Sequence, residues 1–135
     1  MAEVSDLVDV ERLLVGELQE VVGAQVSTEL DADFDAATSL WLTLSRASST
    51  EVDRQTGHLE RVLVDFAAHG PSKEAAWELV KVACRELRSV PGAYELGVVT
   101  DVERVSGPFW SPDPTTHSPR YLCTWAITVH PPRGG

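Results

Sequence analysis

Apolar residues along this chain follow a helical period twice and a strand period four times. Leu7, Val10, Leu14, Leu18 and Val21 form one helical stripe, and Val8, Val15 and Val22 add a second at seven-residue spacing. Ser5 or Asp6 can cap this helix, and Gly23 suits its exit near Val22. The two stripes make a surface broader than a helix lying on one sheet needs. Either the fold buries both, or a neighbouring subunit covers Val8 and Val15. Residues 24–30 are ambiguous, a short extended piece at best. Leu40, Leu42 and Leu44 then alternate along a strand at 40–46, followed by a polar connection over 47–57. Val62, Val64 and Phe66 point inward from a strand at 59–69, with Glu60 near its mouth, and Gly70-Pro71 breaks it.

Ser72 is the expected N-cap of a second helix over 73–89. Trp77, Val80, Ala83, Cys84 and Leu87 lie on one face, and Glu74, Glu78, Lys81, Arg85 and Arg88 on the other. Val90-Pro91-Gly92 ends it. Two more strands follow, 98–105 and 120–130, the latter placing Tyr121, Cys123, Trp125, Ile127 and Val129 on one face. The order αββαββ predicts an α+β fold: a mostly antiparallel four-stranded sheet with two main helices packed on one side, in a single domain over 1–135. Between the last two strands runs a Pro-rich segment, 106–119, which holds Phe109 and Trp110 on an expected projecting loop. These aromatics either fold back over the core edge or anchor a partner. Arg104 and Arg120 flank them, and Trp41, opposite the leucine face of its strand, is a second exposed aromatic candidate.

Charge narrows the choice of partner. The net charge is -10, and residues 1–35 hold ten acids against the single Arg12. Direct nucleic-acid binding needs clustered Lys and Arg, and no such cluster occurs. The acid-rich end reads as a solvated helix face or as a surface that repels a passing polyanion. No stretch approaches the ~18 apolar residues of a membrane span, and the N-terminus lacks a basic region followed by an apolar run, so a soluble protein folded in a cytoplasm is expected. Cys84 and Cys123 read as small buried hydrophobes rather than a disulfide. Asp31-Ala32-Asp33-Phe34-Asp35 begins like a calcium loop, but Ala36 and Leu42 stand where a turn glycine and a bidentate glutamate are required. His58, His69, His117 and His130 are scattered, and no nucleophile elbow, phosphate-cradling glycine loop or His-x-x-x-His spacing is present. Asp65 and Asp101 can be paired only as a guess. The expectation is a protein without catalytic, metal or cofactor-binding residues.

An ordered set of segments resembles the tail terminator proteins of long-tailed, siphovirus-type bacteriophages, in particular those of phages infecting actinobacteria. The set comprises Leu30-Asp31-Ala32, the strand 40–46, Val62-Leu63-Val64-Asp65-Phe66-Ala67-Ala68, Val90-Pro91-Gly92-Ala93, Gly97-Val98-Val99-Thr100-Asp101-Val102, Ser106-Gly107-Pro108-Phe109-Trp110 and Arg120-Tyr121. It spans roughly residues 28 to 130; the acid-rich first helix stands outside it, and 47–57 lacks the glycine-rich turn of the family. The resemblance implies a virion structural protein at the tail-neck junction, assembled in the host cytoplasm. Its subunits form a ring, taken as a hexamer, that caps the head-proximal end of the tail tube. The implied partners are the major tail tube protein and the head-side connector, with DNA passing through unbound. Under that implication Phe109, Trp110, Arg104, Arg120, Trp41, Val8 and Val15 are interface candidates, and Asp6, Asp9, Glu17 and Glu20 are lumen-facing acids. Competing expectations are a neck or head-completion protein of the same virion, a small cytosolic enzyme, and a host-side dimeric binding module.

Overall fold

The computed structural model describes residues 7–52 and 59–132. Ser5, Asp6 and His58 fall outside them. Helix α1 is Val10–Leu18, one turn later than its hydrophobic pattern predicts, because Asp9 is the cap and its carboxylate accepts the Arg12 amide at 3.1 Å. The chain leaves the helix through Gly23, whose φ of +71° is the left-handed conformation that glycine adopts without a Cβ clash. Both predicted stripes contribute to the protein's own core: Val8, Val10, Leu13, Leu14, Leu18 and Val22 are buried, whereas Leu7 and Val21 are exposed.

The sheet has six strands, not four, and the element order is αβββαβββ. The strands are β1 (Gln25–Ser27), β2 (Trp41–Glu51), β3 (Glu60–His69), β4 (Gly92–Ala93), β5 (Val98–Trp110) and β6 (Arg120–His130), and α2 (Lys73–Leu87) lies between β3 and β4 in sequence. In space the order is β1-β2-β3-β6-β5-β4; β1 runs parallel to β2 and every other pairing is antiparallel, which makes a mixed, curled sheet. The additional strands are the two edges. They are three and two residues long, too short for a period-two pattern to register.

The two hairpins run further than sequence suggests. β2 continues through polar residues to Glu51, with a register shift between Arg46 and Ser48, so residues 47–51 of the expected 47–57 connection are strand. β5 continues through Gly107-Pro108 to Trp110 over three register shifts. Gly107 makes this possible: its φ is +76°, and a Cβ there would meet the Leu122 carbonyl at 2.5 Å.

Both helices pack on one face of the sheet over a single core containing Leu42, Leu44, Val62, Val64, Phe66, Trp125, Ile127 and Val129. α2 is capped by Ser72, whose hydroxyl accepts the Ala75 amide at 3.1 Å, and it buries Ala76, Leu79, Val80, Ala83 and Leu87. α1 is tied to β2 by Arg46. Its amide, in the stretch of β2 that β1 does not pair, donates to Glu11 Oε2 at 2.8 Å, and its guanidinium donates to the Val8 carbonyl at 3.0 Å and faces Glu60 at 3.7 Å.

Candidate functional site

Paired residues of an antiparallel ladder share a face, so the register decides where each aromatic of the last hairpin points. Trp110 pairs with Tyr121, which Trp77 of α2 contacts, and Trp110 is therefore on the helix side. Phe109 pairs with Leu122 and faces the opposite way. The two consecutive aromatics are thus strand residues on different faces, and not a joint anchor on a projecting loop. Phe109 is 51% exposed beside Leu122, on a sheet face without a helix over it.

On the helix side the aromatics form a ladder. The Trp110 and Tyr121 rings lie 5.3 Å apart and the Tyr121 and Trp77 rings 5.2 Å apart, with Trp110 40% and Trp77 39% exposed. Cations are seated along the same line. The Lys73 ammonium lies 4.8 Å from the Trp110 ring, that of Lys81 lies 5.8 Å from Trp77, and the Arg88 guanidinium lies 5.3 Å from Trp125. Lys73, Trp77, Lys81, Cys84 and Arg88 recur at helical spacing and make one stripe of α2 beside its buried face. Across the gap stands Arg104 of β5, exposed and paired with Trp125, so it is on the same side. An amphipathic reading divides these residues between core (Trp77, Cys84) and solvent (Lys81, Arg88), and so hides a stripe that runs along their boundary. The spacing was present in the sequence; what was missing was β5 beside it.

Cys84 and Cys123 lie at the base of the stripe as free thiols. The neighbouring Cys123 thiol holds the Cys84 thiol down at about 6 against desolvation, with Trp125, Arg104 and Arg88 adding to the effect; the same pairing and burial push Cys123 up.

The remaining candidates are placed differently from their sequence reading. Arg120 is built into the loop that follows β5: its Nε donates to the Ser111 carbonyl at 2.8 Å and its Nη1 faces Asp113 at 3.6 Å. Asp113 accepts the amides of Thr115 and Thr116, at 2.8 and 3.2 Å. Trp41 is only 4% exposed, which corrects its reading as an exposed aromatic. Its indole donates to Ser27 Oγ at 2.7 Å, and Phe34 packs edge-on against it. Val8 is 3% exposed, in the core, and not a surface residue, and Val15 is half-buried between shallow grooves on either side of α1. Asp9 is occupied as the α1 cap, whereas Glu17 and Glu20 are exposed. In the acidic segment, Asp31 and Asp35 accept the amides of Asp33 and Ala37 at 2.8 and 2.9 Å, so they brace turns of the β1–β2 connection. No group of three or more potential metal ligands occurs among the described residues.

What the ladder can do chemically is bind: exposed indole faces with cations above them suit a partner that combines acidic and apolar contacts. No family model matches the chain, and no curated protein matches it. No helix among the described residues is long and apolar enough to cross a membrane.

Proposed function

We propose that this chain is a virion structural protein of the tail terminator type. Its subunits form a ring, taken as a hexamer, on the head-proximal end of the phage tail tube; the ring stops tube polymerisation and gives the head connector its attachment surface. The observation that carries the reading is the ladder of exposed Trp110 and Trp77 around half-buried Tyr121, with its cations, on the flank of the molecule where the first turns of α2 border the end of β5. A closed ring needs a heterologous contact, in which one patch meets a different patch of the next subunit. The ladder supplies one such patch, and the resemblance of the segments between residues 28 and 130 supplies the setting. Glu17 and Glu20, exposed on and just beyond α1, suit a lumen through which DNA slides without adhering. Phe109 and Leu122, on the opposite face, are placed for the tube or the connector.

Replacing Trp77 and Trp110 together by alanine tests the reading. The variant is expected to keep its circular dichroism spectrum, since both side chains are over a third exposed, and to lose its ability to complement a terminator-deficient phage. Full complementation by the folded variant would remove the ladder from the assembly.

A further inference from the structure

We infer that the cation–aromatic stripe receives the acidic 29–35 segment of a second copy of the chain, so that subunits join head to tail. The inference rests on the ring reading above and names the two patches that meet.

Charge is separated across the molecule. No Lys or Arg occurs between Arg12 and Arg46, and within that interval Glu29, Asp31, Asp33 and Asp35 are all exposed. The stripe carries Lys73, Lys81, Arg88 and Arg104, also exposed. The segment 28–40 joins β1 to β2 at one end of the strand order, whereas the stripe lies over β6 and β5 towards the other. The two patches therefore lie on opposite flanks, as a head-to-tail contact requires.

They also lie at the same height along the strands. Phe34 fixes the acidic segment against Trp41 and His69, with ring centroids 5.9 and 5.5 Å apart, on the row that runs Trp41–His69–Arg120. Trp110, under Lys73, is one residue along, on the row Leu42–Ala68–Tyr121–Trp110. Consecutive rows face opposite sides of the sheet, so Phe34 seats the acidic segment on the helix-free face while the stripe is on the helix face, and the contact joins unlike faces of neighbouring subunits.

The acidic segment is also held in shape before it meets a partner. Asp31 and Asp35 each commit a carboxylate oxygen to an amide of their own turns, and Ser39 Oγ accepts the Asp35 amide at 2.8 Å. Glu29 and Asp33 are the exposed acids left to meet the partner's ammonium groups. Little ordering entropy is lost on docking such a pre-formed turn.

Charge swapping tests the inference. Lys73→Glu with Lys81→Glu, and separately Glu29→Lys with Asp33→Lys, are each expected to weaken self-association, read by sedimentation velocity and by ring formation on purified tail tubes, by about tenfold or more. Carrying all four substitutions in one chain should restore it, and mixing the two defective proteins should restore rings in which the two variants alternate, because each one's stripe then meets an oppositely charged segment of the other. Circular dichroism controls for folding. If the wild-type protein assembles and neither reversal alters its assembly, the pairing of these patches is overturned while the ring reading stands. If the wild-type protein assembles neither alone nor on tubes, the ring reading itself fails.

Discussion

At the scale of single residues, the end of the sheet where β3 stops is held by a small polar network. His69 is buried; its Nδ1 lies 2.9 Å from Ser118 Oγ, which in turn lies 2.9 Å from Thr116 Oγ1. Desolvation lowers the His69 pKa, with Arg120 adding to the effect and Asp113 opposing it. Burial pushes the Asp113 carboxyl up, but the Thr115 and Thr116 amides, with Arg120 and His69, outweigh it and hold the group below its ordinary value. The signs place the two groups in separate pH windows. A histidine with a lowered folded pKa binds fewer protons in the native state than unfolded, so its stabilisation is complete above about 6.5 and is lost as pH falls from there through the folded value. The Asp113 contribution is complete above about 3.9 and is lost only as pH falls further, through its own folded value. The melting temperature is therefore expected to drop by a few degrees between pH 7.5 and 5.5, and His69→Gln should flatten that slope. An equal slope in the variant would show that another group carries it. None of this was legible in the sequence, where His69 and Ser118 are separated by most of the second half of the chain and Arg120 reads as a free flank of an aromatic loop.

At the scale of elements, the strongest periodicities gave the correct structures and the weak or interrupted ones did not. The core faces of β2, β3 and β6 follow directly from Leu42 and Leu44, from Val62, Val64 and Phe66, and from Cys123, Trp125, Ile127 and Val129, all buried. The Ser72 cap and the extent of α2 were equally plain. What misled was punctuation: Gly107 and Pro108 read as the end of a strand, whereas they are accommodated at register shifts and the strand resumes with Phe109 and Trp110. The serines after Arg46 read as a loop for want of apolar alternation, though they pair with β3 as far as Glu51. Arg46 then has a role no local pattern could announce, joining α1, β2 and β3 through Val8, Glu11 and Glu60. Arg46→Ala removes the bond to the Val8 carbonyl and the charge facing Glu60, and is expected to cost about 1–3 kcal/mol. Hydrogen exchange should show the loss concentrated in α1, with the amides of β3 and β6 least affected; a uniform loss across the sheet would contradict this role.

At the scale of the whole molecule, the two helices leave one flank of the sheet bare. α1 packs on β1 and β2 and α2 on β3 and β6; β5 joins the core through Val99 and Val102, but from Arg104 to Trp110 its exposed helix-side residues border the cationic edge of α2. β5 pairs with β4 only at Val98 and Val99, so its outer edge from Thr100 to Trp110 has no strand beside it among the described residues. A helix layer that stops one strand short, beside indoles and cations in a chain of net charge -10, is the feature that directs the functional reading towards assembly. Phe109, Trp110 and Arg104 were legible as candidates, with the aromatics left open between folding back over the core edge and anchoring a partner. Their division between two faces was not, because it depends on a register that bulges shift. Electron microscopy of the purified protein incubated with tail tubes lacking their terminator tests the assembly claim most directly. A closed ring at the head-proximal end, with Trp110 and Trp77 at the subunit boundary, is the predicted image; tubes that stay uncapped, or density in which this flank faces open solvent, would contradict it.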